Sequence, residues 1–405
     1  MRLSLAAATL ASLVATLVLA GAAAIWPVWR GLDLGDVHHQ FALYGTVLPG
    51  LFWLTKLVAD PYLAKPLGRS ADKAGLPLAG GALFALSNPL LFGGWVGFAG
   101  ALLLALAAAL HFLSLKEALP RSSVVDVAKD PLTKGDDACL LLLRFASFFL
   151  LAGLLLRAIA ALPFMAGASG ASGLGLAADH VLLVGYGLPT LYGLSHLIVP
   201  RLSGVPAIAA GAVKGELHST MLGVVFLAAG FGLRPVWPGA TGLVIAGGLF
   251  VFFGAFVFMG VLGANIMKNK SRTQRVTPGF AYIPWAFAGI LWLVCGVLLG
   301  IFLNDVPSLF ASRFPALRAA HAHLVLYGGA TQLALGFAAR RLAATPVPFA
   351  KHKLAFWLLN LALGCVLAGP LLDRPGLTLA ASLLALLGLA AWFFPLRRHA
   401  QAVAG

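Results

Sequence analysis

Apolar runs of about twenty residues, joined by short polar connectors, fill nearly the whole of this chain, and that feature decides what it can fold into. A run of that length crosses the hydrocarbon core of a bilayer as one helix. Only helices and closed barrels satisfy their own backbone there. With 405 residues, 60% hydrophobic and 10% charged, the chain reads as all-α, a polytopic membrane protein with a single integral membrane domain, 1–405. No connector is long enough to be a second domain. About 12 transmembrane helices are expected, at 5–29, 38–59, 76–92, 95–115, 138–162, 178–200, 217–233, 240–265, 280–303, 317–339, 353–372 and 376–395. The first is read as a transmembrane helix because its apolar run is too long for a signal peptide. Only Gly93-Gly94 separates the third from the fourth.

The net charge of +15 raises nucleic acid until the charges are placed. Under twelve helices, Arg30, Arg234, Arg313, Arg318 and Arg374 fall outside, and Arg144 and Arg157 lie within the fifth span. The other 21 of the 28 Lys and Arg fall inside. This asymmetry puts both termini in the cytoplasm and suits a bacterial inner (plasma) membrane, with the lipid bilayer as partner and no nucleic acid. Merging the third and fourth spans would flip every later loop. Cys139, Cys295 and Cys365 all lie in apolar runs and no Cys-x-x-Cys-His occurs, so covalent c-type haem is excluded and a disulfide framework is not expected.

Topology sorts the histidines by depth. His38 and His39 start the second span, His180 starts the sixth, and His321 and His323 lie near the start of the tenth, all in the outer half. Ionisable groups at membrane depth are costly, so their convergence on one leaflet marks a shared site. On a helix, residues advance about 100° each, so His321 and His323 point to nearly opposite sides. His218 starts the seventh span on the inner side; His111, His196, His352 and His399 read as interfacial. All thirteen Asp and Glu are placed in loops or at helix ends, with Asp179 beside a candidate ligand. Histidines without carboxylates suit haem iron or copper rather than a Zn²⁺ or Mg²⁺ hydrolase.

Four stretches resemble the haem-bearing subunit I of the haem–copper oxidases, a superfamily that includes the nitric oxide reductases. The sixth span, His180-Val-Leu-Leu-Val-Gly-Tyr-Gly-Leu-Pro189 with Gly193-Leu-Ser-His196 and Pro200, is similar to the family's copper-ligand helix. His321-Ala-His323 with Gly329 resembles its His-x-His helix. His38, eleven residues before Pro49, resembles its other low-spin haem ligand. Trp292 to Asn304, with Gly296 and Gly300, resembles the glycine-rich helix that precedes His-x-His.

The resemblance implies b-type haem, one or two groups. His38 and His323 would be the axial ligands of a low-spin haem, with His39 as the alternative to His38. His321 would hold a high-spin haem, and His180 would stand in its distal pocket as the catalytic or metal-binding histidine. Arg157 and Arg318 are candidate propionate partners, with Arg30 and Arg234 also on the outer side. The implied function is electron transfer, or binding or reduction of O2 or NO, as an oxidoreductase if catalytic. The electron donor would be a subunit, cytochrome c or cupredoxin on another chain.

The chain departs from the family at the copper site. Gly232 and Leu233 stand where the family's paired histidines would be, and Val184 stands where many relatives carry a tyrosine. One imidazole does not hold copper tightly, so copper is not expected, and with no second metal and no carboxylate relay placed in the bundle interior, neither is proton pumping. NnrS-type haem or copper proteins of the NO response are similar in size and also begin the second helix with histidines. A cofactor-free scaffold subunit is the third reading.

Overall fold

The computed structural model describes residues 28–29, 32–33, 40–59, 63–65, 75, 77–82, 94–117, 119–120, 135–162, 169–203, 207–268, 283–305, 312–336 and 352–404. Most of the expected first span, Arg30, His38 and His39 lie outside the described residues. Val28–Trp29 (β1) pairs antiparallel with Leu32–Asp33 (β2), so residues 28 and 29, the end of the expected first span, are strand and not helix.

The helices follow in order. α1 is a π-helical stretch, Phe41–Val47, running into Leu48–Ala59. Residues 77–82 form α2. Gly94–Glu117 is α3 and Asp136–Ala160 is α4. α5 runs through Ser169–His180, a π-helical Val181–Gly187, and Leu188–Ser203. α6 is Ala210–Leu233 and α7 is Thr241–Lys268. α8 is Ile283–Asp305. α9 joins Phe314–His323 to a π-helical Leu324–Thr331 and continues to residue 336. α10 is His352–Leu372 and α11 is Pro375–Ala404. Among the described residues eight helices, α3 to α8 with α10 and α11, are long and apolar enough to cross a membrane. α1 to α7 belong to one compact unit, α8 to α11 to another.

These helices are apolar on the wrong side for water. Leu102, Leu106 and Leu113 of α3, Leu249, Phe253 and Phe256 of α7, and Trp357 and Leu361 of α10 are all exposed. The interior mixes small residues such as Ala101, Ala105 and Ala108 with large ones such as Leu104, Tyr192 and Phe258. Large apolar side chains facing outward are the pattern of helices solvated by lipid, and small residues at the seams let backbones approach closely. The α6–α7 seam makes the point. A Cβ at Gly223 would meet Val251 at 2.6 Å, and one at Gly247 would sit 2.8 Å from the Leu227 nitrogen. Only glycine lets these backbones approach so closely.

Within the first unit the doubtful separation of the third and fourth spans has an answer. A Cβ on Gly81 would fall 2.6 Å from Leu104 and 2.9 Å from the Gly100 carbonyl. One continuous helix would put such residues about 30 Å apart, so α2 and α3 lie side by side. Leu63–Lys65 (β3) also pairs with Leu119–Pro120 (β4), which brings the end of α1 and the end of α3 together.

Two helices begin earlier than expected. α5 starts at Ser169 rather than residue 178, and α6 at Ala210 rather than 217. The glycines at 170, 173 and 175 are poor helix formers. Packing overrides them: a Cβ at Gly173 would lie 2.7 Å from the Phe231 carbonyl of α6. His180 and His218 are therefore interior to their helices, not at their starts.

Candidate functional site

Among the described residues π-helical stretches occur in α1, α5 and α9, and α5 and α9 carry His180, His321 and His323. His180 and His323 are each the last α-helical residue before the backbone widens. The widening shows as i→i−5 hydrogen bonds, from the Leu48 N–H to the Leu43 carbonyl and from Leu188 to Leu183. Short π-helical insertions of this kind are frequent at functional sites. A sequence signal marks them. His38, His180 and His321 each stand six residues before a Tyr-Gly pair, Tyr44-Gly45, Tyr186-Gly187 and Tyr327-Gly328, and each pair lies in a π-helical stretch. The motif-by-motif reading of the sequence missed this recurrence.

In the second unit, His321 points at α8. Its Nδ1 donates to the Gly296 carbonyl at 2.6 Å. Its ring lies on the Gly300 backbone, where a Cβ would come within 2.6 Å of Cε1. The glycines of α8 thus form a groove for the imidazole. Gly296 itself clears Val325, and Gly328 clears Trp292. His323 turns elsewhere. Its Nδ1 donates to the Ala319 carbonyl of its own helix at 2.6 Å, and its ring lies beside Tyr327 at 5.4 Å. The divergence expected from helical geometry is present. Arg318, one turn before His321, is exposed. Below this pair a polar knot ties the helices together. The Trp292 indole N–H donates to the Asn360 Oδ1 at 2.7 Å, and Asn360 and Gln332 exchange two bonds of 3.2 Å.

In the first unit, His180 donates Nδ1–H to the Leu176 carbonyl at 2.8 Å, and its ring packs on Phe231 with centroids 4.3 Å apart. Phe231 immediately precedes Gly232 and Leu233. A Cβ at Gly232 would meet nothing within 4 Å, and Leu233 is exposed. Among the described residues no group of three or more His, Cys, Asp or Glu is placed to hold a metal ion. Arg157 lies over the Tyr44 ring at 5.9 Å, beside Gly175, and the Tyr44 hydroxyl donates to Asp179 at 3.4 Å. His218 is exposed and donates Nδ1–H to the Lys214 carbonyl at 2.7 Å.

The four ring nitrogens facing carbonyls must carry the proton, because a carbonyl only accepts. That fixes one tautomer in His180, His218, His321 and His323, with Nε2 as the basic nitrogen. Metal-ligating histidines use this arrangement, in which the second nitrogen donates to a backbone carbonyl and orients the ring.

Two expectations are corrected. His111 and His196 are buried, not interfacial. Glu216 is not at a helix end but two turns into α6, wholly buried, with its Oε2 at 2.6 Å from His196 Nε2. The interior of this unit therefore holds a carboxylate, which removes one ground for expecting no proton pumping. Placing the start of α6 at residue 217 hid it; the apolar Ala209-Ala-Gly-Ala-Val213 ahead of Lys214 was the available signal. No family model matches the chain, and no curated protein is significantly similar to it.

Proposed function

We propose that this chain is a haem-b-binding integral membrane protein of the haem–copper oxidase and nitric oxide reductase subunit I type. Its role is electron transfer, or binding or reduction of a diatomic gas, within a bundle of about 12 helices. The observation that carries this reading is the tautomer of the outer histidines. His321 and His323 each commit Nδ1–H to a carbonyl and keep Nε2 basic, as a haem-iron ligand requires.

His321 and His323 would each hold haem iron through Nε2, and His38 is proposed from the sequence as the second ligand opposite His323. Haem bound there would supply one-electron redox chemistry and an iron able to take a gas. The chain's own part is orientation. The Gly296 carbonyl fixes the His321 ring, and Gly300 gives it room. Arg318 and Arg157 are the proposed propionate partners. His180 keeps a basic Nε2 but stands against Phe231, and one imidazole beside a phenyl ring is not a copper donor set. Copper is left out of the proposal for that reason.

A reduced-minus-oxidised absorption spectrum of the purified chain tests the proposal. Paired b-type bands are expected. His323→Ala should remove the low-spin component and His321→Ala the high-spin one. A chain purified from haem-replete cells with no b-type band overturns the reading and leaves a scaffold.

A further inference from the structure

The buried pair between α5 and α6 has a use that haem binding does not require. Tyr192 and His196 are one turn apart on α5, and Glu216 and Thr220 one turn apart on α6, so the four side chains meet where the helices face. His196 Nε2 and Glu216 Oε2 are 2.6 Å apart with both side chains 0% exposed. Such a distance belongs to a charge-assisted hydrogen bond. On α7, Phe258 stacks on Tyr192 at 4.3 Å and meets the His196 ring edge-on at 5.2 Å. Gly254 leaves room beside the Thr220 hydroxyl, which a Cβ there would approach to 2.9 Å.

A purely structural peg would use all its polar atoms. This one does not. His196 Nδ1, Glu216 Oε1 and the hydroxyls of Tyr192, Thr220 and Thr190 are buried without a hydrogen-bond partner among the described residues. Buried polar atoms in native proteins are satisfied, by protein or by water, and each exception asks for a role. Of the charged groups on the neighbouring described elements, Lys214 and His218 of α6 and Asp137 of α4 are exposed, Arg144 of α4 donates to the Leu115 and Lys116 carbonyls, and Asp136 at the start of α4 is buried. A histidine and a glutamate sharing one proton are neutral overall, the state a low-dielectric interior favours. In the neutral pair Nδ1 already carries a hydrogen, so a second proton enters at Oε1, and water can bond to either atom.

We propose that His196 and Glu216, with the Tyr192 and Thr220 hydroxyls around them, form a buried proton-binding site that exchanges with the aqueous end of the α5–α6 pair. Uptake takes one proton from hydronium, leaves water, and gives the pair one net positive charge. Release restores the neutral pair. The nearest connection, between Ser203 and Ala210, is on the basic side of the sequence topology, which makes the site one for protons from inside. It is independent of haem occupancy.

The chain contains only two glutamates, Glu117 and Glu216. Glu117 is exposed, so Glu117→Asp leaves Glu216 as the single glutamate without disturbing the interior. That full-length variant, grown with glutamate labelled with carbon-13 at the side-chain carboxyl and placed in liposomes, is read by infrared spectroscopy from about pH 5 to about pH 9. The expected result is a carboxyl band that shifts in D2O and changes form across the titration. In His196→Gln the change should move or vanish. A single form throughout, insensitive to D2O, makes the pair a structural peg and overturns the proposal. Because the first measurement needs only the surface substitution, misfolding of the histidine variant does not rescue it.

Discussion

Gly300→Ala tests the groove that holds His321. The added methyl would stand 2.6 Å from Cε1, 2.8 Å from Nδ1 and 3.2 Å from Nε2 of the imidazole. The ring cannot swing aside cheaply, because Nδ1 is tied to the Gly296 carbonyl at 2.6 Å. Either the hydrogen bond breaks or α8 and α9 separate by several tenths of an ångström. Overpacking of this kind costs about 1–3 kcal/mol, and a lost hydrogen bond about 1 kcal/mol. Alanine's better helix propensity returns up to about 1 kcal/mol, so a net loss of about 1–3 kcal/mol is expected. Gly364→Ala on α10 is the control, since a Cβ there meets nothing within 4 Å. It should be neutral or slightly stabilising. The assay is the apparent unfolding temperature of both variants in one detergent at one heating rate, with the haem spectrum beside it. Two glycine-to-alanine changes in neighbouring helices should move in opposite directions. If Gly300→Ala is as stable as Gly364→Ala and leaves the spectrum unchanged, His321 is not held by α8.

Three further outcomes are expected. Asn360→Leu should lower the unfolding temperature more than Trp292→Phe. It strands both the Trp292 N–H and Gln332 at about 1–3 kcal/mol each, whereas Trp292→Phe leaves Asn360 bonded to Gln332. Gly247→Leu should destabilise the chain strongly, because its Cβ meets the α6 backbone at 2.8 Å, while Gly260→Leu, with nothing within 4 Å, should be tolerated; equal effects would refute the α6–α7 seam. Glu216→Leu alone should cost about 3–5 kcal/mol, and His196→Leu with Glu216→Leu together less than the two single losses added, which a double-mutant cycle of unfolding temperatures measures.

The membrane class was legible because hydropathy is local. A run such as Leu102 to Ala109 needs no partner to declare itself, and the opposed directions of His321 and His323 follow from two residues of helix. The start of α5 was not legible. Its glycines argue against a helix, and only the neighbouring Phe231 carbonyl explains why the chain is helical there. Glu216 escaped for a related reason. A carboxylate near a span boundary reads as solvated until a histidine twenty residues away is found against it. The π-helical stretches leave no trace in hydropathy, since they change a hydrogen-bonding register and not the composition. Their one sequence mark, the recurring Tyr-Gly, is visible only when distant helices are laid over one another.

Those widened turns have a consequence for how such helices are aimed. A π-helical stretch advances fewer degrees per residue than an α-helix, so it offsets the azimuth of everything before it from everything after it. In α5 and α9 the segment bearing the histidine is geared separately from the segment beyond Gly187 or Thr331. Deleting one residue within 181–187 or 324–331 would return the stretch to α-helical pitch and leave the histidine's aim nearly unchanged, whereas a deletion in the regular part of the helix would turn it by about 100°. The chain thus carries an indexing joint in each of these helices. One end keeps its aim while the other keeps its seat in the bundle.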